Sequence, residues 1–103
     1  MPSEVDNYIN GYQSFPCVFN ACGTQFENIR EIEKNRNDFM EYLFKNGIST
    51  RPATHSVVSL SYYKIKYNIE DKDFPNSSLA AKASFSLPLY NGMLNEEIDF
   101  IIN

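Results

Sequence analysis

The segment GISTRPATHSVVSLSYYKIKY, Gly47 to Tyr67, decides how the chain is read. Val58, Leu60 and Tyr62 alternate with serines, as a half-buried strand would. Tyr63, Ile65 and Tyr67 then alternate with lysines, but on the opposite phase, so the Tyr62-Tyr63 doublet interrupts any strand. Leu60, Tyr63 and Tyr67 also fall at helical spacing, and periodicity alone leaves both elements open. The segment holds the only histidine, His55, with Arg51 before it and the tyrosines after it.

Upstream lies the clearest element. Ile29, Ile32, Arg36, Phe39 and Leu43 recur every three or four residues, and Met40 and Phe44 widen the stripe. Thr24 to Glu27 matches a capping box, and Gly47 after Asn46 suits a left-handed C-cap. This predicts a helix from about Gln25 to Asn46. Glu31, Lys34, Asp38, Glu41 and Lys45 form its solvated face. Before it, Tyr12 to Phe19 is rich in β-favouring residues and reads as a strand, with Pro16 fitting only an edge or a bulge. Asn20-Ala21-Cys22-Gly23 reads as a turn, and residues 1–10 as a loose lead-in.

Outward in the other direction, Ile48 to Arg51 forms a short strand stopped by Pro52. Asn68 to Phe74 is a polar loop, and Pro75 starts a short helix through Leu79, Ala80, Ala81 and Ala83. Phe85 to Tyr90 is a strand candidate ending at Asn91-Gly92. Asn95 caps a final helix with Glu96 and Glu97 in its first turn and Ile98, Ile101 and Ile102 on its apolar face. The elements alternate β-α-β, then a helix or loop, then α-β-α. They imply a single α+β domain over residues 1–103, with a small, mostly antiparallel sheet and helices packed on one face.

Composition narrows the function. The 103 residues are 43% hydrophobic with eight Phe and seven Tyr, enough for one core. A net charge of −4 with dispersed basic residues disfavours nucleic acid as a partner. No apolar run approaches the roughly 20 residues a membrane span needs, and MPSEVDNYIN lacks the features of a leader, so no membrane role is expected. Cys17 and Cys22 with one histidine make a poor zinc set, and Cys17 in FPCVF reads as a buried thiol; cytoplasmic location follows. No serine sits in a nucleophile elbow, nothing brings a cysteine to His55, and the glycines at 11, 23, 47 and 92 are too scattered for a phosphate loop. No catalytic, cofactor-binding or metal-binding residues are assigned.

Several motifs in series nevertheless resemble the DegT/StrS family of pyridoxal-phosphate-dependent sugar aminotransferases. They are Gly47-Ile48 after a helix, Thr50-Arg51-Pro52 with Thr54-His55, and the Tyr62-Tyr63 doublet. Phe74-Pro75-Asn76-Ser77, Leu87-Pro88-Leu89-Tyr90 and the run Glu96 to Ile102 follow. Upstream, GYQSFPCVF and RNDFMEYLFKNG are similar to the family's strand and helix. The likeness covers nearly the whole chain. It departs at Val58 and Asn10, where many relatives carry histidine.

The resemblance implies the C-terminal small domain of a type I pyridoxal-phosphate-dependent transferase. The family's cofactor-anchoring lysine, its pyridine-facing carboxylate and its phosphate loop belong to an N-terminal large domain, and none of those contexts surrounds a lysine here. The expectation is therefore an isolated small domain, whether excised, proteolysed or truncated. Alone it would bind no cofactor and transaminate nothing. Its partners would be the missing large domain, a nucleotide-sugar substrate and a second subunit of a homodimeric intact enzyme. That enzyme would move an amino group from glutamate to a nucleotide-linked keto-sugar in polysaccharide-precursor synthesis. Segment 51–63 would line the cleft, with Arg51 on an anionic group and His55, Tyr62 and Tyr63 on sugar hydroxyls, a diphosphate or a ring. It also implies an irregular turn and then a short helix near Leu60 to Tyr67. The competing readings are a free-standing, non-catalytic binding or regulatory domain of the same fold, and a small enzyme using His55. The plainest reading of the same residues pairs Arg51 with a carboxylate, leaves His55 on the surface and puts Tyr63 and Tyr67 in the core.

Overall fold

A computed structural model describes residues 5–20 and 23–103. The expected turn at Asn20–Gly23 includes Ala21 and Cys22, which lie outside the described residues, as does the start of the lead-in. The elements run β1 (Phe15–Val18), α1 (Ile29–Lys45), α2 (Ser61–Tyr67), α3 (Pro75–Ala83), β2 (Ser84–Leu87) and α4 (Asn95–Ile102), with short 3₁₀ turns at Phe26–Asn28, Val57–Ser59 and Asp71–Asp73. The architecture is α+β: a two-stranded antiparallel sheet with helices against it. The ambiguous segment is helical, as the resemblance implies. Asn68 ends α2 in the left-handed region at φ 51°.

Register explains how Pro16 enters a strand. Phe15 faces Leu87, Cys17 faces Phe85, and Phe19 N–H donates to the Ala83 carbonyl at 2.8 Å. These are the hydrogen-bonded pairs. Pro16 faces Ser86, whose N–H and C=O both turn away from β1 to bond Arg51 at 2.7 and 3.4 Å. Pro16 therefore sits where no donor is required. The expected strand at Ile48–Arg51 shrinks to that single bridge, because Pro52 ends the pairing after one residue. Both other strands are shorter than predicted: β1 begins at Phe15, and β2 stops before Pro88.

Helix α1 packs its inner face against a core that also holds Ile48, Val58, Ala83 and Phe85. Ile32 and Arg36 are buried, and the Phe39 ring lies 5.4 Å from Phe19 and 5.6 Å from Phe85. Its solvated face holds the i,i+4 pairs Lys34–Asp38 and Glu41–Lys45. The helix ends as predicted: Gly47 adopts φ 85°, its N–H donates to Phe44, and Ile48 N–H donates to Leu43. Its start differs. The Thr24–Glu27 capping box does not form. The chain enters through the 3₁₀ turn at Phe26–Asn28, and neither Gln25 nor Asn28 accepts a capping hydrogen bond. Similarly, Leu94 rather than Asn95 occupies the cap of α4, and the Glu97 carboxylate accepts from Leu94 N–H at 2.8 Å.

Buried polar groups tie α3 to its neighbours. Arg36, 5% exposed, donates from Nη1 to the Ser84 carbonyl at 2.8 Å and the Ala81 carbonyl at 3.3 Å, and from Nε to Asn37 Oδ1 at 2.9 Å. It thus satisfies carbonyls that α3 leaves open at its C-terminus. The fully buried Ser78 donates to the Asp71 carbonyl, and Ser56 and Ser77 share a hydroxyl contact of 2.9 Å. Outside this centre many large apolar side chains stand exposed, among them Phe44, Ile65, Leu94, Phe100 and Ile102. Among the described residues, no helix is long and apolar enough to cross a membrane.

Replacing Arg36 with Ala leaves two buried carbonyls without a donor and removes a buried cation's packing. The expected loss is about 3 kcal/mol of unfolding free energy, read from urea melts. A second expectation concerns pH. A hydrogen bond from the Tyr90 hydroxyl, reinforced by Leu94 N–H, holds the Glu97 carboxyl below its ordinary value of 4.5. The same bond holds the Tyr90 phenol above its ordinary 10.0. The Glu97 contribution is complete above 4.5 and fades as pH falls through the lowered value; the Tyr90 contribution is complete below 10.0 and fades as pH rises through the raised one. The Leu94 amide resonance should follow the acid transition, and Glu97→Gln should remove that transition.

Candidate functional site

The Arg51–Ser86 bridge leaves a groove beside β2 of about 540 Å³. The approach to β1 contributes Gln13 and Ser14, the 49–53 segment contributes Thr50 and Arg51, and the strand exit contributes Ser86 and Tyr90. The local sequence builds this directly. Pro52 and Pro88 each end a stretch of pairing, so two chains diverge from a common bridge and the groove opens between them. Only the backbone of Arg51 is engaged. Its side chain is exposed, and among the described residues no carboxylate pairs with it, contrary to the plainest reading. Thr50 Oγ1 is buried there without a hydrogen-bond partner. An unpaired guanidinium beside an unsatisfied hydroxyl, with more hydroxyls along the wall, suits an oxygen-rich anionic ligand. Thr50, Gln13, Ser86 and Tyr90 were not singled out from sequence. Thr50 and Tyr90 belong to the motifs Thr50-Arg51-Pro52 and Leu87-Pro88-Leu89-Tyr90, which assign them no role, and Ser86 only adjoins the second.

The other expected site residues do not join Arg51 in this groove. His55 stands on the wall between two further depressions. One, of about 250 Å³, is shared with Glu33, Arg36 and Lys82. The other, of about 550 Å³, is apolar and is shared with Tyr63, Tyr67 and Phe74. The His55 side chain is exposed and makes no hydrogen bond among the described residues. Tyr63 is half-buried and stacks on Tyr67 at 6.2 Å. Tyr67 itself is exposed, so it is not the core residue the plainest reading expects. Tyr62 lies outside these depressions, edge-on to Tyr63 at 5.1 Å, and its hydroxyl accepts from Lys66 Nζ at 3.1 Å. The four residues thus lie along one continuous segment, but Arg51 faces one concavity, His55 and Tyr63 share another, and Tyr62 faces none of the three.

A covalently held pyridoxal phosphate requires a lysine amine free to lose its proton. All six lysines of the chain are engaged. Lys34, Lys45 and Lys72 pair with Asp38, Glu41 and Glu70, and those hydrogen bonds raise their pKa above the ordinary value. Lys64 pairs with Asp71 and Lys82 with Glu33, while Lys66 lies over the Tyr62 and Tyr67 rings. A carboxylate partner favours the charged, unreactive form. Lys34, Lys45 and Lys72, held in the charged form, are therefore poor anchors for a pyridoxal phosphate. Among the described residues no cluster of three or more His, Cys, Asp or Glu side chains is arranged to hold a metal ion.

Comparison with known proteins places these features in a family. An uncharacterized protein of Methanocaldococcus jannaschii, MJ1066, is 28% identical over 76 residues, which is 74% of this chain and 20% of that protein. The chain thus spans about a fifth of the length of this curated relative. No solved structure matches. The family model described as the DegT/DnrJ/EryC1/StrS aminotransferase family matches residues 22–103, and the chain belongs to that family.

Proposed function

We propose that residues 1–103 act as the small C-terminal domain of a pyridoxal-phosphate-dependent aminotransferase that moves nitrogen from glutamate to a nucleotide-linked keto-sugar. In this reading the chain alone is inactive. The observation that carries it is the family match across α1 to α4 in a chain whose own lysines are all engaged. The cofactor, which the family generally uses, would supply the electron sink for amino transfer from a large domain elsewhere in the protein.

The chain's own residues would bind and orient. Arg51 would hold a phosphate oxygen of the nucleotide sugar, with Thr50 Oγ1 as a second hydrogen-bonding group in the same groove. His55 and Tyr63 would contact the sugar or close the cleft around it, with Tyr62 supporting Tyr63. Contact with the large domain would cover apolar side chains now in water. The chain exposes 8102 Å², against about 5,900 Å² for a compact chain of its 11.9 kDa mass. The extended lead-in to β1 accounts for part of the difference. A homodimeric intact enzyme and a cytoplasmic location complete the reading.

Mixing pyridoxal phosphate with the purified chain should give no visible absorption band beyond that of the free cofactor. Borohydride reduction followed by peptide mapping should find no single labelled lysine. One stoichiometrically labelled lysine would refute the division of labour proposed here. In the intact enzyme, Arg51→Ala should raise KM for the nucleotide sugar by about tenfold, the weight of one charge-assisted hydrogen bond. An unchanged KM would remove Arg51 from the site. The exposed apolar residues also predict that the isolated chain self-associates as its concentration rises. Sedimentation equilibrium would show this as a rising average mass, whereas a strict monomer at high concentration would speak against a bare docking face.

A further inference from the structure

The smallest of the three depressions carries a different chemistry from the Arg51 groove. It lies between α1, α3 and residues 52–60, and its volume is about 250 Å³. Glu33, Arg36 and Lys82 line it, with Thr54, His55 and Ser59 also at its wall. Two cations and one carboxylate leave this cleft with a net positive charge, in a chain whose total is −4. Arg36 is nine-tenths buried and has donated Nε and Nη1 to Asn37, Ala81 and Ser84. Its Nη2, with two N–H donors, has no partner among the described residues. Lys82 Nζ contacts both Glu33 oxygens, at 2.8 and 2.9 Å. The Thr54 and Ser59 hydroxyls bond nothing else among the described residues.

We propose that this cleft binds a small oxyanion, a phosphate or carboxylate group, through Arg36 Nη2 and Lys82 with a hydroxyl from Ser59 or Thr54. A buried guanidinium with unspent donors is a strong anion ligand, because each remaining N–H of Nη2 can donate a charge-assisted hydrogen bond to an anionic oxygen. Burial holds the Arg36 pKa below its ordinary value, with Glu33 opposing, and a second anion would relieve the same desolvation. Glu33 acts as an internal competitor. It occupies Lys82 when the cleft is empty and repels an incoming anion, so its charge sets the affinity. The cleft adjoins the Arg51 groove at Pro52, but its anion donors are different residues and do not rest on the enzyme reading.

The test is a titration of inorganic phosphate into the purified chain at constant ionic strength, followed by amide NMR, with acetate as a second arm. Saturable shifts confined to residues 33–36, 52–60 and 81–84 are expected, with half-saturation on the order of millimolar. Phosphate alone binding would assign a tetrahedral anion; acetate binding equally would assign a carboxylate. Glu33→Gln should tighten binding about tenfold, although it removes the Lys82 pair and lowers the melting temperature. A merely structural cluster would show the stability loss without the gain in affinity. The double variant Thr54→Ala/Ser59→Ala, at two exposed positions, should fold normally and weaken binding about threefold, and it decides the matter if the Glu33 variant does not fold. Non-saturating shifts, shifts of equal size at exposed Lys45 and Lys72, or unchanged affinity in the variant that folds would overturn the proposal.

Discussion

The Arg36 guanidinium, held between α1 and the α3–β2 corner, is the contact on which the other elements depend. A nine-residue helix followed at once by a four-residue strand has little intrinsic stability. Its C-terminal carbonyls need donors, and its direction needs fixing before β2 can meet β1. Arg36 does both from the centre of α1, and Ile32 and Phe39 pack on either side of it along the same helix face. The aromatic row Phe19–Phe39–Phe85 then sets the distance between helix and sheet. Once β2 is placed, its two edges receive β1 and Arg51, and the groove follows from the prolines that end both pairings.

The legible part of the fold was the part governed by local chemistry. Helix α1 announced itself through spacing and through Gly47, whose positive φ the cap requires. Pro75 marked the first position of α3. Places where two local solutions compete were less legible. Thr24 and Glu27 have the residue types of a capping box, yet the 3₁₀ turn at Phe26–Asn28 takes the entry instead, so composition at a helix start did not decide its geometry. Alternation in Val58 to Tyr67 pointed to a strand on both halves and to a helix across the doublet. Family likeness chose correctly there, where periodicity did not choose.

The candidate site was legible by segment and not by geometry. Sequence placed Arg51, His55, Tyr62 and Tyr63 within 13 positions and so invited one pocket. The 3₁₀ turn at Val57–Ser59 and the start of α2 redirect the chain between them, so His55 and Tyr63 share a concavity that Arg51 does not reach, and Tyr62 lies outside both. Conversely, Thr50, Gln13 and Ser86 meet across the sheet from distant parts of the chain, a juxtaposition that no spacing rule reports. Arg36 carried the opposite lesson. A charged residue within an apolar helical stripe was visible in the sequence from the start, but what it does became visible only with the carbonyls of Ala81 and Ser84 beside it.

Pro16 leaves its mark on the far side of the sheet. Since the odd-numbered residues of β1 bond β2, the backbone of Ser14, Pro16 and Val18 points outward, and the middle of that row has no hydrogen to give. A foreign strand arriving there would find its central acceptor unmatched. Ribbon-like stacking of chains through this margin is therefore discouraged by a ring closure in a single residue, and association is steered toward the helices.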